Sequence, residues 1–260
     1  MQTLAVTDWI GTLAPGRRRV LRHMRQAALA AAACLSLYAG WQLARPGLAD
    51  MLADAMPPAL EFQLGQGMLH ELDIHALRPS ELAESRQMRI GQAFASLQSP
   101  HEGTPRHRLL FRSGDAGATA FTLPSGDIIL TDALLQALPD DGAVLAVLAH
   151  ELGHQQHHHM LRRLVQEAML PAAASIALGD TGWLVSSVAA SAPQVEWTQQ
   201  AEIEADKYAA DLLEHNGLSL RNLSEVPEAL SHAKGVQRNY LAIHPACAER
   251  LAQQRERSAL

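Results

Sequence analysis

The chain has 260 residues, a formal net charge of -6 and two cysteines, Cys34 and Cys247. That length buries a sizeable core in one large or two small domains, and the acidic balance, with no basic, aromatic-interleaved stretch after residue 50, excludes a nucleic-acid partner. Two cysteines build neither a disulfide framework nor a Cys-rich zinc site, so any metal must be held by histidine and carboxylate.

Residues 26–44 are uncharged and rich in Ala and Leu; as a helix they span about 28 Å, close to the hydrocarbon thickness of a bilayer. Arg17, Arg18, Arg19, Arg22 and Arg25 precede this run, and Asp50, Asp54, Glu61, Glu71 and Asp73 follow it. The positive-inside rule then keeps residues 1–25 in the cytoplasm and sends the rest across, as a single-pass protein with its later domain periplasmic in a bacterial inner membrane. Tyr38 and Trp41 suit an interfacial aromatic belt. A cleaved signal peptide is the competing reading, but the run is longer than a usual signal core and Arg45-Pro46 makes a poor cleavage site. Residues 45–79 read as a linker, at its start from Pro46 to Pro58, and a first helix.

Ser80 caps an expected helix running to about Leu97, with Glu81 and Glu84 in its first turns. Short strand-like runs follow at 108–112, 118–123 and 127–131. Pro124-Ser125-Gly126 makes a turn between the last two, which implies a small antiparallel sheet. Asp140 or Asp141 then caps a helix to about Leu164, buried through Val144, Leu145, Val147, Leu148 and Leu152. A second apolar region, 165–192, is broken at Gly179-Asp180-Thr181-Gly182. It reads as a helical hairpin, either packed on the domain or dipping into one leaflet. The next helix, 194–216, is ended by Gly217.

The chemistry lies in His150-Glu151-Leu152-Gly153-His154. Two imidazoles four apart on a helix project from one face and can grip one metal ion, and Glu151 between them can take a proton from water at that metal. Histidines are common here, 13 in all, and His157, His158 and His159 alongside are expected to face solvent. A catalytic zinc takes three protein ligands and an open position. The second helix offers Glu202 and Asp206, four apart on one face, so that one carboxylate can bind metal while the other fixes a histidine ring. Glu204 points elsewhere and is expected to be solvated.

These motifs resemble a family of zinc metallopeptidases that includes the HtpX heat-shock proteases, the CAAX prenyl proteases and the periplasmic protein BepA. The resemblance covers most of Ser80 to Arg250. It rests on Ala120-Phe121-Thr122-Leu123-Pro124-Ser125-Gly126 running into the His150–His154 motif, on Glu202 and Asp206 as the Glu-x-x-x-Asp motif, and on His244-Pro245 with Arg250 trailing. Thr119 departs from the Asn found before the Ala-Phe pair in many relatives. The resemblance implies an α+β, mostly helical zincin-like domain over 80–260, of gluzincin type, preceded by the transmembrane helix. One Zn2+ per chain is implied, on His150, His154 and Glu202, with Glu151 as base, Asp206 and Arg250 as supporting residues, and His244 as an oxyanion stabiliser or resting ligand. Ala120, Phe121 and Thr122 would take an extended polypeptide substrate as an added strand. The expected function is a membrane-anchored metalloendopeptidase in quality control of unfolded or misassembled envelope proteins. The alternative is a membrane-tethered chaperone or assembly factor whose protease site is latent.

Overall fold

A computed structural model describes residues 15–100, 103, 105–114, 116–138, 140–178, 197–232, 240, 243 and 244. The chain divides into two units, Met1–Leu48 and Ala49–Leu260. Helix α1 (Pro15–Asp54) forms the described part of the first and continues into the second. Among the described residues one helix, Arg19–Asp54, is long and apolar enough to cross a membrane, and none of its apolar window is buried. Leu29, Leu35, Leu37 and Leu43 are all exposed.

The linker expected at 46–58 is mostly helix, because α1 runs through Pro46 to Asp54. Proline removes one backbone donor, yet the turns beyond it bury Ala49 and Ala53 and set Asp50 and Asp54 on Arg162 at 3.0 and 2.9 Å. Tertiary packing overrides the local break.

In the second unit, α2 (Pro58–His75) leads to β1 (Leu77–Pro79), α3 (Glu84–Ala95), β2 (Arg108–Gly114), β3 (Ala120–Thr122) and β4 (Asp127–Thr131). Then come α4 (Asp132–Ala137), α5 (Asp141–Gln156), α6 (His159–Leu178), α7 (Gln199–His215) and α8 (Arg221–His232). The Ser80 cap is not made: α3 starts at Glu84, and the Ser80 hydroxyl donates instead to Asp132 Oδ1 at 2.6 Å, tying this loop to the start of α4.

The four strands lie in the order β1-β2-β4-β3. β3 and β4 form the antiparallel hairpin read from the turn, whose Gly126 takes φ 85 and leaves no room for a Cβ against the Arg106 carbonyl. The sheet is mixed, however, since β2 and β4 are parallel. Parallel neighbours need a crossover, and here β3 supplies it by passing to the outside before β4 returns beside β2. β3 is therefore an edge strand. Side-chain alternation on β4 sends Ile128 and Leu130 into one core with α3, α5, α7 and α8, and Ile129 into a second with Met68 and Leu72 of α2.

Asp140 caps α5, its carboxylate accepting from the Ala143 amide at 2.8 Å. Every residue from Ala143 to Gln155 is buried, so the motif sits on a helix covered on all sides. That helix stops at Gln156 rather than Leu164, because His158 adopts φ 51 and α6 starts afresh at His159. The Thr198 hydroxyl caps α7, later than the start expected near 194. The expected break at 179–182 lies outside the described residues.

Candidate metal centre

Helices α5 and α7 cross with Gly153 against Ala205: a Cβ on Gly153 would fall 2.6 Å from the Ala205 carbonyl oxygen and 2.8 Å from its Cα. This close approach lets short carboxylate side chains on α7 reach the α5 histidines. His150, His154, Glu202 and His244 each present one ligand atom, all within 4.8 Å of one another and all buried. His150 Nε2 lies 3.0 Å from His154 Nε2 and 3.2 Å from His244 Nδ1. Glu202 Oε1 lies 3.3 Å from His154 Nε2, 3.8 Å from His150 Nε2 and 2.7 Å from His244 Nδ1. Ligands at zinc bond lengths in a tetrahedron are about 3.3 Å apart. Five of the six separations, 2.7–3.8 Å, lie around that value, and imidazole nitrogen with carboxylate oxygen are the donors zinc takes in the absence of cysteine.

Asp206 Oδ1 accepts from His150 Nδ1 at 2.7 Å, which leaves Nε2 free to face the cluster. Burial alone would depress the His150 imidazolium, but the hydrogen bonds and charges of Asp206 and Glu202 prevail and push it up to about 10. Burial drives His154 well below its ordinary value, Glu202 opposing without reversing it. Burial would raise the Glu202 carboxyl, but His244, His150 and His154 together hold it far below the usual carboxylate range.

Glu151 is fully buried and does not join the ligand atoms. Thr122 Oγ1 stands 3.3 Å from its Oε2 and 3.1 Å from its main-chain oxygen. Its Oε1 and His244 Nε2 both lack a hydrogen-bond partner and face each other at 3.5 Å. Two orphaned buried polar atoms aimed at one point mark where a reacting oxygen can sit. Burial raises the Glu151 carboxyl above its ordinary range, as a proton acceptor near neutral pH requires.

Ala120, Phe121 and Thr122 form β3, whose side chains are buried, so any substrate contact there is through the main chain. Leu123 and Thr119 bond to β4, and alternation turns the amides and carbonyls of Ala120 and Thr122 outward. The Ala118 carbonyl already accepts from the Tyr240 amide at 3.1 Å, and the Trp197 amide donates to Ile243 at 3.1 Å. These two bonds fasten the segment that carries His244. Arg250 lies outside the described residues.

Residues 80–258 match the model of Peptidase family M48. The chain belongs to that family. The resemblance read from the histidine motif, Glu202–Asp206 and His244 holds at this level, and the protein is a metallopeptidase. M48 relatives include metalloprotease LoiP of Escherichia coli strain K12, 29% identical over 215 residues that cover 79% of this chain and 82% of LoiP. Metalloprotease YcaL of the same strain is 26% identical over 180 residues, covering 66% of this chain and 69% of YcaL. The beta-barrel assembly-enhancing protease of that strain is 26% identical over 171 residues, 60% of this chain but only 35% of the relative.

One expectation about neighbouring residues fails in this M48 site. His159 is buried, not solvated, and its Nδ1 lies 2.9 Å from His154 Nδ1. Glu204 lies outside the ligand group and is 37% exposed, as expected, and its Oε2 meets His159 Nε2 at 3.1 Å. Burial brings the His159 imidazolium down to about 4. Trp197, which no motif singles out, stacks on the His154 ring at 4.5 Å and 25°.

Proposed function

We propose that this M48 metallopeptidase is a membrane-anchored zinc endopeptidase acting on extended or unfolded envelope polypeptides, with His150, His154 and Glu202 as ligands and Glu151 as the base. The observation that carries the reading is the meeting of four buried ligand atoms within 4.8 Å beside a carboxylate oxygen, Glu151 Oε1, that has no partner of its own. When bound, zinc supplies a Lewis acid that lowers the pKa of water to about 7 and polarises a carbonyl.

The chain's own residues do the rest. Glu151, raised by burial and steadied at Oε2 by Thr122, takes a proton from the attacking water at Oε1 and delivers it to the leaving amine. His244 Nε2, 3.5 Å away, donates to the oxyanion that develops on the scissile carbonyl. The outward main chain of Ala120 and Thr122 binds substrate as a further strand, which confers affinity with little sequence preference. The apolar helix within α1 and the five preceding arginines favour a cytoplasmic N-terminus, with the site on the far, periplasmic side. An envelope quality-control role is supported by similarity to a protease named for enhancing beta-barrel assembly.

One observation favours a second reading, a tethered chaperone or assembly factor with latent proteolysis: His244 belongs to the candidate ligand group and turns Nδ1 towards His150 and Glu202, so it would compete with water for the fourth position of a bound metal. Metal analysis and casein digestion by the full chain in detergent separate the two. Wild type is expected to hold one zinc and cleave; Glu151→Gln is expected to hold zinc and lose cleavage by about 100- to 10,000-fold. Proteolysis surviving in Glu151→Gln would remove Glu151 from its role, and a zinc-free wild type would overturn the assignment.

A further inference from the structure

We propose that His159, backed by Glu204, is a positioning residue for His154. An imidazole–carboxylate relay then holds the second motif histidine, as Asp206 alone holds the first. The inference rests on the reading that His154 binds the metal through Nε2, the atom it presents to the other ligands. A neutral imidazole with its lone pair on Nε2 carries its proton on Nδ1. That N–H points at His159 Nδ1, 2.9 Å away, and one proton serves both nitrogens only if His159 Nδ1 accepts. The His159 proton is thereby placed on Nε2, which donates to Glu204 Oε2 at 3.1 Å. Glu204 Oε1 in turn accepts from Gln200 Nε2 at 2.6 Å. Each group in this chain has the donor or acceptor its neighbour needs, from the protein surface to the metal ligand.

The backbone is shaped for this contact. In an uninterrupted helix a residue five positions on points about 140° away from His154. The left-handed turn at His158, whose own ring meets Glu61 Oε1 at 2.7 Å, ends α5 and brings His159 back to the His154 side. Trp197 stacks on the same ring, so His154 is fixed in rotation by His159 and in tilt by Trp197. Supporting partners of this kind fix the tautomer and ring orientation of a metal-binding histidine.

The test uses the full chain in detergent, stripped of metal, with zinc affinity read by competition against a chromophoric chelator and apo-protein melting read alongside. His159→Phe is expected to weaken zinc binding roughly 10- to 100-fold. His159→Gln is expected to recover most of that, because its amide accepts from His154 and donates to Glu204. Glu204→Ala, at a side chain 37% exposed, is expected to leave apo melting unchanged and to weaken zinc binding by a smaller factor. If His159 merely fills space, Phe keeps the affinity and Gln binds zinc no better than Phe. Should His159→Phe lower apo melting, the ranking of Gln above Phe and the Glu204→Ala affinity decide. Affinities within about twofold of wild type for both His159→Phe and Glu204→Ala, in a wild type that binds zinc, would overturn the relay alone. A wild type that binds no zinc would overturn the metallopeptidase reading and the relay with it.

Discussion

His150 and His154 stand one helical turn apart, yet their surroundings drive them in opposite directions. Burial depresses both, but Asp206 and Glu202 carry His150 up to about 10 while His154 stays well below its ordinary value. Without metal at pH 7, His150 is protonated and His154 is not. A metal can use His150 Nε2 only after that proton leaves. Zinc binding at pH 7 is therefore expected to release about one proton, and affinity to rise about tenfold per pH unit from 7 towards 10. The sign for stability runs the other way. A raised folded-state value favours the metal-free fold fully below about 6.5, and that contribution is lost as pH rises through about 10. Calorimetry in buffers of different ionisation heat measures the release; a pH-independent affinity would refute it. At this scale the sequence was informative where spacing alone decides contact. His150, His154, Glu202 and Asp206 all follow from i, i+4 pairs on two helices. His159 did not, because its contact depends on a backbone reversal at His158 that a helical projection hides, and Trp197 reaches His154 from a segment with no periodic signal.

The crossing of α5 and α7 holds the site together, and its fulcrum is the one motif residue with no side chain. A methyl on Gly153 would strike Ala205 main-chain atoms at 2.6 and 2.8 Å, and backbone cannot rotate aside as a side chain can. Gly153→Ala is thus expected to destabilise the fold by about 1–3 kcal/mol through overpacking and to weaken metal binding by moving Glu202 and Asp206 off their histidines. Melting and chelator competition on the same variant check both effects, and unchanged values in the two would refute the close-approach argument. Element types were largely legible: the motif helix, the carboxylate helix and the β3–β4 hairpin were all read from period and turn chemistry. Their ends and neighbours were less so. Ser80 is a good cap by type but is drawn to Asp132, and the parallel β2–β4 pair arises because β3 passes outside, which local pattern does not encode.

Across the whole chain, the end of α1 is where an exposed apolar helix, long enough to cross a membrane, gives way to the metallopeptidase unit. The contact division falls after Leu48, while Ala49 and Ala53 are 0% and 6% exposed and Arg162 holds Asp50 and Asp54 from α6. The last turns of the apolar helix therefore belong to the metallopeptidase unit, although their sequence, following Pro46, reads as linker. A chain started at Ala49 is expected to keep zinc binding and the melting transition of the catalytic unit, whereas one started at Pro57 loses the docked turns. Two buried methyls at about 0.8 kcal/mol each, with two half-exposed ion pairs at about 0.2–1 kcal/mol each, make the shorter form less stable by about 2–3.6 kcal/mol. Denaturant unfolding of the two truncations measures the difference, and Arg162→Ala in the longer form is expected to reproduce only the smaller, salt-sensitive part of it. Equal midpoints for the two truncations would mean that the turns after Pro46 serve as a tether and contribute nothing to the fold that holds the metal centre.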